Sequence, residues 1–291
     1  MKKYVVAVAS LISMCLLSTS LAVAAPVENR LNKSNKLQSI LKSRNETGQD
    51  KFLSFAASLD PTIVSHFNIQ EDGSVTVNET GLDAAQKEAA FKASKQFEKE
   101  LKAYQNRINA YNKKLGLNSN EGVKTDGNGG LSFGSGGSGD GTNSFTTNGL
   151  IKGDIVLQND PGTSIQGDIN HGGMYDGSSV DVSIYTAQPN QGVKWEAVSE
   201  WRRHDEVWGL KTDASSSTEA AAFNKVRADA SLGETYYWYA GKGDPDSWYC
   251  SKIPWYGYSA MGIELDENGG YWVTPDDLFA SSKTHLYNYS T

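Results

Sequence analysis

The chain has 291 residues, 38% of them hydrophobic, which is enough to bury the core of one medium domain with a smaller companion. Its 27 Lys and Arg against 34 Asp and Glu leave a formal net charge of -7, with a pI near 5.2. That balance offers no cationic surface for DNA or RNA phosphates and excludes nucleic acid as a partner on charge grounds. It also argues against simple electrostatic attachment to an anionic envelope, so any wall or membrane contact would need specific pockets or local patches.

Lys2 and Lys3 precede an apolar stretch from Tyr4 to Leu21 that ends in Ala22-Val23-Ala24-Ala25. This reads as a secretory signal over residues 1–24, cut after Ala24, and places the mature protein outside the cell or at the wall. Five Ser and Thr residues interrupt the stretch and no basic cluster follows it directly, which argues against a stable membrane span. Met14 stands where a lipoprotein site would need a small residue before Cys15, so Cys15 leaves with the leader.

Residues 25–117 read as a mainly helical N-terminal region. Pro26 to Gly48 is polar, with scattered Leu31, Leu37, Ile40 and Leu41, and is expected to be a flexible arm. A short helix is expected from Lys51 to Leu59, before Pro61. The alternation of Phe67, Ile69, Val75 and Val77 around Asp72-Gly73 predicts a hairpin. Thr80 with Asp83 resembles a capping box, and Phe97, Leu101, Tyr104, Ile108, Tyr111 and Leu115 then recur at steps of four and three. They predict a long helix, with Gly116 as its stop. The stripe favours packing on its own hairpin or on the second domain, and an oligomer through this helix stays open.

Residues 118–145 are rich in Gly, Ser, Asn and Asp and are expected to be a flexible linker. Gly136 to Asp140 only faintly resembles a calcium-binding repeat, without a second copy. From residue 146 onward the composition turns to aromatics and β-branched residues, including all seven tryptophans. Ile155 to Leu157, Val180 to Tyr185, Val193 to Trp195 and Val207 to Leu210 predict strands, and Ser217 to Ala230 a helix, so the fold class is α+β. A glycine-rich linker also predicts that proteolysis between Thr125 and Ser144 releases a stable C-terminal domain.

Without the leader the chain keeps one cysteine, Cys250, in Trp248-Tyr249-Cys250-Ser251. Exported structural cysteines come in pairs, so a lone one is a candidate nucleophile. Such a thiol works as a thiolate and needs a base. His66, His204 and His285 read as solvated, whereas His171 precedes Gly172-Gly173, which let a backbone or a substrate come close. No cluster of His, Cys and carboxylate stands at metal-ligand spacing, and no phosphate-cradling glycine loop follows a strand, so neither metal nor cofactor is expected.

Five segments in order then resemble the circularly permuted papain-like, or NlpC-like, cysteine amidases and peptidases of the YiiX/YycO-like branch, related to lecithin retinol acyltransferase-like proteins. They are Lys152 to Val156, His171 to Tyr175, Leu232 to Tyr236, Trp248 to Ser251 and Val273 to Leu278. The resemblance implies an antiparallel sheet with packed helices over residues 146–291, Cys250 as nucleophile at a helix start, and His171 as base. The third, histidine-orienting position falls by spacing on Ser183, ranked ahead of Asp181 and of Glu196, which lies further along. Pro254 departs from the pattern: either Cys250 precedes the helix with Pro254 in its first turn, or that turn is distorted. The implied function is a secreted cysteine hydrolase of amide bonds, with cell-wall peptide as substrate. An acyl-chain hydrolase or transferase and a non-catalytic envelope-binding protein are the alternatives. Tyr236, Tyr237, Trp238, Tyr239, Trp248, Tyr249, Trp255 and Tyr256 serve the core, with some left to line a groove.

Overall fold

In the computed structural model the described residues are 27–70, 73–117, 143–160, 162–165, 167–237, 239 and 241–291. The expected leader at 1–24, with Cys15, and the glycine-rich stretch 118–142 lie outside them, as does Trp238.

The N-terminal region is helical. Helix α1 (Val27–Thr47) is followed by α2 (Gln49–Ala57), the short α3 (Pro61–Val64), a hairpin of β1 (Phe67–Ile69) and β2 (Val75–Val77), and the long α4 (Ala84–Lys114). The hairpin pairs Phe67 with Val77 and Ile69 with Val75, as the alternation predicts. The cap of α4 lies three residues beyond the expected box: Asp83 accepts from the Gln86 backbone and Gln86 Oε1 accepts from the Asp83 N–H. Phe97, Leu101, Tyr104, Ile108 and Tyr111 are all buried, each of the fully apolar ones adding about 1.5–3 kcal/mol of burial. Leu115, the last of the stripe, is half exposed.

The flexible arm expected from Pro26 to Gly48 is corrected to a 21-residue helix. It docks mainly through polar groups: Lys36 pairs with Glu206 at 3.0 Å, Ser39 Oγ donates to Asp168 at 3.0 Å, and Arg44 pairs with Asp277 at 2.6 Å. A helix held by its charges lacks the apolar stripe that periodicity detects.

The second region opens at Asn143, whose amide holds the carbonyls of Trp201 and His204, and Phe145 is buried, so the last expected linker residues belong to the packed body. Its strands are β3 (Ile155–Asn159), β4 (His171–Tyr175), β5 (Val182–Gln188), β6 (Gly192–Ala197), β7 (Glu206–Thr212) and β8 (Thr284–Ser290). They form one antiparallel sheet in the order β6-β5-β4-β3-β7-β8. Helices α5 (Val198–Trp201), α6 (Ser216–Asp229), α7 (Lys252–Ala260) and α8 (Pro275–Ala280) complete an α+β fold.

Side chains alternate across the sheet. Ile155, Leu157, Met174, Tyr185 and Leu210 enter the main core, which includes Phe223, Ile253 and Tyr258 of the helices. Val156, Tyr175, Ile184 and Val207 enter a smaller cluster with Phe145, Val198 and Trp201. Gly153 opens β3 with φ +102°, and a Cβ there would lie 2.3 Å from the Glu219 carbonyl oxygen, so glycine is what lets α6 approach.

The two regions are not independent. Phe52 of α2 stacks on Tyr104 at 4.9 Å and on Trp272 at 6.1 Å, and the main core runs across both regions. Tyr104 donates to the Ile165 carbonyl, and the Asn112 side chain both donates to the Thr163 carbonyl and accepts from its N–H. The expected release of a free C-terminal domain therefore gives way to a clamped pair.

Candidate functional site

The five segments of the resemblance converge in space. Asp154 turns the chain into β3 by accepting from the Ile151 N–H at 2.6 Å. Val193 of β6 accepts from the Gly233 N–H and donates its own N–H to the Glu234 carbonyl, bringing Leu232 to Tyr236 to the sheet edge. Tyr236 and Trp248 then form a parallel bridge. Ser251 Oγ donates to the Val273 carbonyl at 2.8 Å, which ties the cysteine segment to residues 273–278. There Thr274 and Asp277 make a capping box with Pro275 in the first turn of α8.

Cys250 is wholly buried and precedes Ser251, the N-cap of α7. Pro254 lies in the first turn, where a missing N–H leaves little unsatisfied. The first of the two sequence alternatives therefore holds: the helix forms without distortion and its N-terminal partial positive charge lies next to the thiol.

His171 begins β4. Met174 pairs with Tyr185 and Tyr175 with Ile184, and continuing this register sets Gln188 of β5 opposite His171. The imidazole Nε2 lies 3.1 Å from Glu196 Oε2 and 3.1 Å from Gln188 Nε2. Trp201 stacks against the ring with centroids 5.0 Å apart. Cys250 acts on the ring through hydrogen bonding and charge, yet Nδ1 forms no hydrogen bond of normal geometry.

The electrostatics follow from this arrangement. Burial by itself would depress the His171 pKa, but the Glu196 charge and the neighbouring Cys250 outweigh it and push it up to about 9. Burial would raise Glu196, but the His171 charge and the hydrogen bonds from His171 and Gln188 pull it down to about 2. Lys194 adds a cation 3.6 Å from Glu196 Oε1. The result is an imidazolium-carboxylate pair, with the Cys250 sulfur beside it.

Sequence spacing placed the third position on Ser183, and the structure corrects it. Ser183 Oγ reaches only the Asp181 carbonyl, at 3.5 Å, while Asp181 itself caps Ser199. Glu196, placed with Asp181 behind Ser183, meets His171. The carboxylate comes from β6, the next strand over, where Glu196 pairs with Ile184 in the same register that carries Gln188, so counting along β5 misses it. Gln188, Thr186 and Trp201 were not singled out at all; the period-2 spacing of Thr186 and Gln188 on one face of β5 is the signal that was present.

His66 binds the Asn78 carbonyl, His204 pairs with Asp160 at 3.0 Å and His285 with Asp213 at 3.5 Å, all away from Cys250 in the hydrogen-bond network. Of the aromatics, Tyr239, Trp248 and Tyr249 are core residues. Trp248, Trp255 and Tyr256 border a cavity of about 360 Å³ together with Asp229, Lys242 and Asp244. Among the described residues no group of three or more His, Cys, Asp or Glu could hold a metal ion, and no helix is long and apolar enough to cross a membrane.

Comparison with family models, with curated proteins and with solved structures returned no match, so the reading of this site rests on its own geometry.

Proposed function

We propose that this chain is a secreted cysteine hydrolase of amide bonds with a permuted papain-like arrangement, histidine first and cysteine last. The observation that carries the reading is the set of Cys250 at the head of α7, His171 at the start of β4 and Glu196 paired to its Nε2 at 3.1 Å. A nucleophile, a base and a group that orients the base are the parts acyl transfer needs.

His171 holds the proton taken from Cys250, and the thiolate attacks the amide carbonyl to give a tetrahedral oxyanion. As the C–N bond breaks, the imidazolium protonates the departing amine and a thioester remains. His171 then takes a proton from water, the hydroxide displaces the thiol, and a carboxylic acid leaves. Glu196 stabilises the imidazolium at each stage, which a serine at this place would not do. Cell-wall peptide is the proposed substrate class, by the resemblance of motifs alone.

One observation favours a second reading. Cys250 is 0% and His171 1% exposed, so the pair is sealed as it stands. A sealed site fits a non-catalytic envelope-binding protein, or an enzyme that opens on meeting its substrate.

Iodoacetamide alkylation of Cys250 near pH 6, compared between wild type and His171→Ala, separates these. Fast alkylation that the mutation abolishes, with loss of wall-peptide hydrolysis in Cys250→Ala, supports the hydrolase. A thiol equally inert in both proteins supports the non-catalytic reading, and full hydrolysis by Cys250→Ala overturns the proposed chemistry.

A further inference from the structure

The Nε2 nitrogen of His171 has more partners than it can serve. Nε2 offers a single direction, either an N–H or a lone pair. Toward it point Glu196 Oε2 at 3.1 Å, Gln188 Nε2 at 3.1 Å and Thr186 Oγ1 at 3.4 Å. Thr186 donates its proton to the Gly172 carbonyl at 2.6 Å, so it faces Nε2 as an acceptor.

The orientation of the Gln188 amide is fixed by its other contact. Its nitrogen lies 2.8 Å from Glu196 Oε1, and the flipped amide would set two oxygens at that distance. One N–H therefore goes to Glu196 and the second faces His171. Two acceptors favour a proton on Nε2, while one amide donor favours a lone pair there. The charged and titratable groups around the ring are Glu196 and Lys194 from β6 and Cys250 ahead of α7; Gln188, Thr186 and Trp201 are neutral.

The geometry points to Gln188 as a positioning residue that contests the Nε2 proton with Glu196 and so keeps His171 from holding its second proton too tightly. This rests on the hydrolase reading for its purpose, because a base that Glu196 alone had made too strong would not release its proton to the departing amine. Gln188 does two things at once: it fixes the carboxylate in place and weakens that carboxylate's hold on the ring. Its Oε1 is buried without a partner among the described residues, so the residue is not placed there to satisfy its own amide.

The test is a titration of His171 followed by its ring ¹⁵N shifts, in the full chain, for wild type, Gln188→Met and Gln188→Glu. Methionine keeps the volume and removes the donor; glutamate replaces the donor with an acceptor. The His171 midpoint is expected to rise by about one unit in the methionine variant and further in the glutamate variant. A midpoint that stays or falls in Gln188→Met overturns the proposal. In wild type alone, above the midpoint, the Nε2 shift should lie between the protonated and lone-pair limits. An Nε2 fully protonated there overturns the assignment even if neither variant folds. These readouts need no activity, so a protein inert toward every amide would sink the hydrolase reading and leave this one standing or falling by itself. In an active protein the alkaline limb of kcat/KM should move with the midpoint.

Discussion

Glu196 meets His171 at 3.1 Å across a sequence separation of 25 residues, bringing a carboxylate from β6 over β5 to a ring on β4. The pairing opposes desolvation on both sides: it holds a cation on a fully buried imidazole and an anion on a nearly buried carboxylate.

Replacing Glu196 with Gln removes that charge and leaves burial opposed only by the neighbouring Cys250. The His171 midpoint is expected to fall from about 9, and kcat/KM by roughly 10²–10⁴ if the protein hydrolyses amides. Stability should follow the same pair. The raised His171 contributes fully below about 6.5 and loses its contribution as pH rises through about 9. The depressed Glu196 contributes above 4.5 and loses its contribution as pH falls through about 2. Urea unfolding of wild type and Glu196→Gln should thus differ most between pH 4.5 and 6.5 and converge by pH 10. Equal differences at pH 5.5 and 10 would refute the ion pair.

Arg44 of α1 reaches into the second region and pairs with Asp277 at 2.6 Å, with Asp276 3.9 Å away. Asp276 in turn accepts from the N–H groups of Asp168 and Ile169, just before His171. Burial raises Asp276 to about 7 even with the nearby guanidinium opposing it. Arg44→Met leaves buried carboxylates without their cation and is expected to cost about 3–5 kcal/mol in chemical denaturation. Adding Asp276→Asn should recover part of the loss; a single-variant loss below about 1 kcal/mol would count against this clamp.

Cleavage within residues 118–142 should yield two fragments that stay together. Size-exclusion chromatography after limited proteolysis is expected to show one peak of intact size, with two bands on denaturing gels. Phe52→Ala, which removes the ring stacked on Trp272 and Tyr104, should cost about 3–5 kcal/mol and let the nicked halves part. Two separate peaks from the nicked wild type would contradict the shared core.

Gly153→Ala should be strongly destabilising because two effects add. The residue sits at φ +102°, and its new methyl would lie 2.3 Å from a backbone oxygen of α6. The strain alone is worth about 1–3 kcal/mol, and the clash must shift the helix besides. A melting temperature within a degree of wild type would show that α6 does not pack as described.

Local patterns were enough for much of this protein. The Phe67 to Val77 hairpin, the buried stripe of α4 and helix α6 repeat at the period of their element, and the strands around Ile155 and Val207 stand out as short apolar runs. The lone Cys250 and the glycine-flanked His171 were likewise legible, because chemistry of that kind restricts residue type at one position. Three features were decided only by the tertiary structure. Helix α1 is held by ionic and polar contacts to residues far along the chain, so its own sequence carries no stripe. The partner of His171 is Glu196 and not Ser183 because strand order, which spacing does not encode, sets β6 beside β5 and so determines which carboxylate crosses the sheet. The burial that turns His171 and Glu196 into an ion pair belongs to no segment, since desolvation exists only once the strands and helices of the second region have packed around the site.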